Sequence, residues 1–157
     1  MVRLLIFSLF LVTVLSSEAQ EASVPEFAET TLFGSAGALP VPLYAQFHGS
    51  IELRVVPKKG NSRFAAQYIR LGGGKWGAWE ATGGYGLAGV TLLTGTKANH
   101  FETLLGLSVH NDEINEGVFA VPAVSLGYRY QVPAGTGIFR TGVGWPEGIY
   151  LSLGFAM

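Results

Sequence analysis

Five charged side chains in the sequence have the types and spacing of a buried ionic site. They are Glu52, Arg54, Glu102, Arg129 and Arg140. Paired carboxylates could act as acid and base in hydrolysis, but three arginines beside two glutamates keep both carboxyls ionised, which is the wrong state for a general acid at neutral pH. The sequence therefore predicts an ion-pair network with a structural role.

Two other groupings contain reactive residue types without the spacing of a site. His110, Asp112 and Glu113 offer imidazole and oxygen ligands for a cation. His110 and Asp112 with Ser35 would supply the groups of an acyl-transfer triad. Nothing in the sequence fixes the geometry of either set. The glycines of 84–89 match a dinucleotide fingerprint in spelling but lack the strand before and the helix after it. We therefore predict a non-enzymatic protein with no catalytic residues, no cofactor and no metal.

The composition narrows the class of protein further. The 157 residues include 10 Lys and Arg, 11 Asp and Glu, 22 Gly, 10 Phe, 6 Tyr, 3 Trp and no Cys. A charged fraction of 13% against 48% hydrophobic residues excludes a disordered chain, and the absence of a basic excess argues against a nucleic-acid partner. Disulfides and thiolate metal sites are excluded, and abundant glycine with aromatic residues favours a closed β architecture.

The N-terminal residues have the pattern of a secretory signal peptide. A positive start at Arg3 precedes an apolar run from Leu4 to Leu15, and small residues end at Ala19. The run is shorter than the ~20 residues of a membrane-spanning helix. We expect residues 1–19 to be removed and residues 20–157 to form a single β-barrel domain.

Alternation with a period of two predicts the strands that position the charged residues. The pattern is clear in four segments, which are 43–55, 100–110, 119–131 and 149–157, and weaker in four others, which are 27–33, 63–71, 87–95 and 138–145. Eight antiparallel strands of about ten residues are typical of a bacterial transmembrane barrel, in which the closed sheet pairs every backbone group. The predicted fold is an all-β, eight-stranded antiparallel up-and-down transmembrane β-barrel.

The two faces of the four clear strands differ sharply in charge. The apolar face carries no charged residue, whereas the opposite face carries Glu52, Arg54, Glu102 and Arg129 among small residues. A water-facing surface would carry abundant Lys, Asp and Glu, so we interpret the charged face as the barrel interior. The alternative is a soluble, exported lipocalin-like barrel with the reverse facing, whose apolar face encloses a small apolar ligand. That facing would turn inward Leu105, Leu107, Val124, Leu126, Leu151 and Leu153.

The connections predict which ends of the strands share a side. Compact turns at 57–61, 95–99 and 133–135 alternate with longer segments at 34–41, 72–84 and 111–117 and a shorter one at 144–148, which favours periplasmic turns and outer loops. Arg70 shares a face with Phe64 and Tyr68 and is expected at the outer rim, because a lipid-facing arginine at mid-bilayer would cost about 2–4 kcal/mol. Aromatic girdles are expected at both interfaces.

Several segments resemble a family of small outer-membrane β-barrel proteins from Bacteroidota. They are residues 126–131, the following turn with 137–142, the closing 150–155, and 99–102 at the start of the fifth strand. The resemblance is clearest over residues 86–157. It implies an eight-stranded barrel in the outer membrane, and most members of the family have no assigned activity.

The function predicted from the sequence is a non-enzymatic integral outer-membrane barrel with a filled interior and outer loops that contact other molecules. Its partners would be outer-membrane lipid and an extracellular or surface protein. Exposed aromatic and acidic residues are the contact candidates on the outer loops. They are Trp76, Trp79, Glu80, Asp112, Glu113 and Trp145, with Glu147 beside them.

Overall fold

The fold is a closed barrel of eight antiparallel strands. The computed structural model describes residues 27–40, 44–55, 64–79, 81–95, 97–114 and 116–157, so residues 1–19 lie outside it. The strands are β1 (Thr30–Leu39), β2 (Tyr44–Arg54), β3 (Ala66–Ala78), β4 (Ala81–Thr94), β5 (Asn99–Asp112), β6 (Gly117–Gln131), β7 (Gly137–Trp145) and β8 (Gly148–Ala156). Each pairs with its sequence neighbours and β1 pairs with β8, which confirms the predicted all-β up-and-down barrel. Over the described residues, no helix has the length and hydropathy to span a membrane.

The register shows how far the strands are staggered. Following the paired residues from Gly34 through β2, β3, β4 and β5 leads to Ala120 of β6, whereas following them through β8 and β7 leads to Tyr130. One circuit of the barrel therefore displaces the ladder by ten residues along β6. With eight strands about 4.8 Å apart, this stagger tilts them by roughly 40°, and the interior has room only for side chains.

Side chains alternate between the interior, which we call the lumen, and the outer surface. Arg129 of β6 is 0% exposed, whereas Leu153 of β8 is 65% exposed. The same division holds around the barrel, where Leu107, Leu126 and Leu151 face outward with half their surface exposed. The polar face of the sequence pattern is therefore the lumen, and the apolar face is the outside.

The strands extend further than the sequence predicted at one end of the barrel. We call this the far end, and the end that holds Thr30 and Ala156 the terminal end. Residues 34–39, 72–78 and 81–84 continue β1, β3 and β4 instead of forming loops. The far-end connections are only residues 40–43, 79–80, 113–116 and 146–147, so the expected long outer loops are wrong. Glycine carries no hydropathy signal, and strands rich in glycine lose the alternation that identifies them.

Gly37 permits a close approach between β1 and the turn that joins β7 to β8. A Cβ atom at this position would overlap the carbonyl oxygen of Glu147, whereas one at Gly34 on the outer face would meet nothing within 4 Å. We expect Gly37→Ala to destabilise the barrel by about 1–3 kcal/mol, the usual cost of overpacking. Gly34→Ala is the matched control and should leave the urea midpoint unchanged or raise it slightly. Equal midpoints for the two variants would contradict this packing.

Candidate functional site

The lumen contains a network of two glutamates and two arginines near the terminal end. Glu52 lies near the end of β2 and Arg129 near the end of β6, while Glu102 and Arg140 lie near the starts of β5 and β7. Because neighbouring strands are antiparallel, these positions meet at one level. All four side chains are fully enclosed. We call this group the central network.

Glu52 depends on one arginine and two hydroxyl groups. Its Oε2 atom accepts hydrogen bonds from Arg129 Nη1 at 2.7 Å and from the Thr31 hydroxyl at 3.0 Å. Its Oε1 atom accepts a hydrogen bond from the Thr91 hydroxyl at 2.8 Å. Arg129 supplies the only ion pair that Glu52 makes within the described parts of the chain. This carboxylate is therefore satisfied, but only while Arg129 is present.

Glu102 connects the two arginines of the central network. Arg129 Nη1 lies 3.3 Å from Glu102 Oε2, and Arg140 Nε donates to Oε1 and Oε2 at 2.9 and 2.8 Å. Arg140 Nη2 also donates to Oε1. Arg54, which the sequence assigned to the same network, is only half-buried and donates instead to the carbonyl of Phe27 at the terminal end.

Aromatic rings contact the guanidinium groups in the lumen. The guanidinium carbon of Arg140 lies 4.3 Å from the centroid of the Phe33 ring, and that of Arg70 lies 4.9 Å from the same centroid. The ring of Tyr68 lies 5.1 Å from the guanidinium carbon of Arg129. Cation–π contacts of this kind are worth about 2 kcal/mol when the partners are desolvated. Rings and charged groups therefore pack against each other in the lumen.

A second ionic cluster, which the sequence did not predict, lies towards the far end. Arg70 Nη2 is 3.0 Å from Glu147 Oε1 and 2.8 Å from His48 Nε2, and Arg70 Nε is 3.4 Å from the Ser50 hydroxyl. Arg70 is fully buried and Glu147 is 3% exposed. We call Arg70, His48 and Glu147 the upper cluster.

The upper cluster corrects two sequence interpretations. Arg70 does not lie at the outer rim, because Tyr68 and Arg70 share the inward face of β3 while Ile69 and Leu71 face outward. The alternation of Ile69 and Leu71 against Tyr68 and Arg70 was the signal that could have identified it. Glu147 is not an exposed loop acid, because residues 146–148 of the β7–β8 turn are buried.

Aromatic side chains close the far end of the lumen. Trp76, which the sequence placed on an outer loop, is an inward residue of β3 with 6% exposure. Its ring stacks on Tyr44 with centroids 6.0 Å apart, and its Nε1 donates to the carbonyls of Gly84 and Asn111, both at 3.2 Å. His110 stacks between Tyr85 and Phe119 at 5.1 and 5.2 Å.

The other contact candidates lie at the far end in different settings. Trp79 is 82% exposed beside the β3–β4 hairpin tip, whereas Glu80 lies outside the described residues. Glu113 forms an exposed ion pair with Lys75, and Asp112 Oδ1 accepts the backbone N–H of Ile114 at 2.9 Å. Trp145 is half-exposed on the outward face at the end of β7. The structure therefore spreads these residues over separate hairpins.

The candidate reactive groupings do not assemble into sites. His110 points into the lumen, where its Nε2 lies 2.8 Å from the Ser108 hydroxyl, and Ser35 bonds to Ser152 at 2.5 Å. Residues 84–89 lie within β4, which continues to Thr94. In the part of the chain that the structure describes, no group of three or more His, Cys, Asp or Glu could hold a metal ion.

Comparisons with known proteins give no family for this chain. No protein-family model matches it, and no curated protein is significantly similar in sequence. The functional argument therefore rests on the geometry of the barrel.

Proposed function

We propose that this protein is a non-enzymatic integral outer-membrane barrel, and that its far end, which exposes Trp79 and Ile114, lies outside the cell with the terminal end in the periplasm. The observation that supports it most strongly is the inverted distribution of polarity. Six buried charged side chains occupy the lumen of the described barrel, while large apolar side chains cover its outside. The Bacteroidota-type family resemblance belongs to the same proposal.

The apolar outer surface has the composition of a lipid-facing belt. Every strand except β1 and β7 contributes at least two aliphatic residues to it. They include Ile51, Leu53, Ile69, Leu71, Val90, Leu92, Leu105, Leu107, Val124, Leu126, Leu151 and Leu153. Aromatic side chains lie at the terminal margin of the belt, namely Phe101, Tyr128, Tyr130 and Phe155. Trp145 lies at the far margin. Aromatic residues at both margins fit the two headgroup regions of a bilayer.

The lumen also supports the membrane proposal over a soluble lipocalin-like carrier. Such a carrier would need an apolar interior for its ligand, whereas this lumen holds Glu52, Glu102 and Glu147 paired with Arg70, Arg129 and Arg140. The leucines that would line a ligand cavity face outward instead. An exposed apolar surface of this extent in water is an aggregation hazard.

A packed lumen predicts that the barrel does not conduct ions. The central network, the upper cluster and the aromatic residues follow one another along the lumen, and eight strands leave no continuous aqueous path past them. We expect the protein to give no stable conductance steps when it is reconstituted in planar bilayers at either polarity. A reproducible channel with a defined unit conductance would contradict a filled lumen.

The far end supports a role in contact with other surface molecules. Trp79 and Ile114 are exposed on the β3–β4 and β5–β6 connections, and Glu113 and Glu116 lie beside Ile114. Exposed aromatic rings are enriched in protein contact sites. The proposed role is therefore structural, or one of surface interaction through these two hairpins.

Fractionation of cells that express the full chain tests the proposal. The membrane barrel should stay in the pellet after carbonate extraction, and it should migrate differently on a gel with and without boiling. Protease applied to intact cells should cleave only at the far-end connections. Release of the chain into the carbonate supernatant with boiling-independent mobility would overturn the proposal.

A further inference from the structure

The barrel wall is incomplete on one side of the far end. β6 pairs with β5 from Gly117 to Tyr130, but it pairs with β7 only from Val124 onward, because β7 ends at Trp145. Among the described residues, 117–123 of β6 have no strand on their second side. We call this opening the lateral gap.

The free edge of β6 lacks a backbone donor at Pro122. The backbone N–H of Gln131 donates to the carbonyl of Ala98, on the β5 side. Backbone N–H and C=O groups along a strand point alternately to its two sides. Those of odd-numbered residues of β6 therefore point to β5, and those of even-numbered residues point to the gap. Pro122 is an even-numbered residue, and it has no N–H that would be left unpaired. Val118 and Ala120, on the same edge of β6 closer to the far end, are apolar and exposed.

An apolar pocket lies directly behind the lateral gap. It has a volume of about 180 Å³ and is lined by Leu39, Tyr44, Trp76, His110, Phe119, Val121, Trp145 and Pro146. Trp145 belongs both to this pocket and to the exposed surface of the barrel, so the pocket continues into the apolar belt. An apolar cavity of about 150 Å³ stays dry and accepts a benzene-sized molecule. We call it the aromatic pocket.

We propose that the aromatic pocket binds the acyl chain of a surrounding membrane lipid, which enters sideways through the lateral gap. This inference rests on the proposed membrane location. The pocket opens beside Trp145 at the margin of the belt, where acyl chains meet headgroups, and its walls are rings and aliphatic groups. A chain seated there would also cover the inward faces of Phe119 and Val121, which have no β7 neighbour.

Fluorescence quenching by brominated lipid tests this proposal. The full chain with Trp79→Phe and Trp145→Phe retains Trp76 in the pocket wall, and a companion with Trp76→Phe and Trp79→Phe retains Trp145 at the belt. Each is folded into phosphatidylcholine vesicles whose acyl chains are brominated or unmodified, and heat-dependent gel mobility verifies folding. We expect brominated chains to quench both tryptophans.

A variant that fills the pocket controls for quenching of Trp76 by lipid that stays outside the barrel wall. Val121→Phe in the Trp76-only chain should restore its fluorescence in brominated vesicles, whereas Val90→Phe on the outer face should leave the quenching unchanged. Equal quenching with and without Val121→Phe would overturn the pocket proposal. So would quenching of Trp145 without quenching of Trp76, an outcome that leaves the membrane location intact. Loss of quenching for both tryptophans would contradict the membrane location as well.

A second arm of the same experiment identifies the molecule that supplies the acyl chain. A brominated free fatty acid is added to vesicles of unmodified lipid at a low molar fraction. Quenching of Trp76 by brominated phospholipid supports the proposed lipid chain. Quenching by the free fatty acid alone would overturn it, because the ligand would then need a free carboxylate.

Discussion

Arg129→Leu is expected to lower the free energy of unfolding by about 3–5 kcal/mol, the cost of removing one partner of a buried ion pair. Glu52 would lose its arginine and keep only the hydroxyl groups of Thr31 and Thr91. Glu102 would keep Arg140. The loss therefore falls on one fully buried carboxylate, which makes this the largest single effect expected in the lumen.

Urea titration of the protein folded in lipid vesicles measures this effect. With a slope of about 1–3 kcal/mol per molar urea, the midpoint should fall by roughly 1–5 M. Arg54→Leu is the control, because Arg54 is half-buried and bonds to a backbone carbonyl, and its midpoint should shift much less. A midpoint for Arg129→Leu equal to that of the wild type would contradict the network.

A double variant separates the ion pair from side-chain packing. Glu52→Gln removes the charge that Arg129→Leu leaves unpaired, so the combined variant should be more stable than Arg129→Leu alone. If the effects of Glu52→Gln and Arg129→Leu on the free energy of unfolding simply add, then Arg129 contributes through packing, including its contact with Tyr68.

Leu126→Arg should also destabilise the folded protein strongly, by about 2–4 kcal/mol, because it puts a charge near the middle of the proposed lipid-facing belt. Leu126 lies on the outward face of β6 between Val124 and Tyr128. Val118→Arg is the matched control on the same face and strand, since Val118 is 75% exposed at the far end, beyond the belt. Near an interface the cost falls to roughly 0–1 kcal/mol.

The contrast between these two variants is measured by urea titration in vesicles. A soluble barrel would already expose Leu126 to water, so an arginine there would leave the midpoint unchanged or improve solubility. Equal midpoints for Leu126→Arg and Val118→Arg would therefore contradict a lipid-facing belt. A lowered midpoint for Leu126→Arg alone supports it.

The sequence was sufficient for the strands that alternate strictly and insufficient for those rich in glycine. In β6 and β8 the leucines alternate with mostly small or polar residues, so their facing follows from period-two alternation. In β3 and β4, glycines at 72–74 and 83–84 remove the hydropathy contrast, and the two strands were assigned shorter than they are. Trp76 was placed on a loop for the same reason.

The partners within the lumen could be only partly predicted. Inward arginines and glutamates follow from facing, and Glu52, Glu102, Arg129 and Arg140 do lie together. Which of them pair depends on the ten-residue stagger, which sequence alternation does not encode. The upper cluster also needs the β7–β8 turn to fold inward, and nothing in the Pro146-Glu147-Gly148 composition distinguishes that from an exposed turn.

The most direct test of a lipid-solvated belt is whether the chain needs lipid to fold. The full chain is diluted from urea into buffer with phosphatidylcholine vesicles or into buffer with neither lipid nor detergent, and folding is followed by β-sheet circular dichroism and by gel mobility without boiling. We predict the folded, heat-modifiable monomer only in the presence of vesicles. The same stable folded monomer in lipid-free buffer would contradict the account.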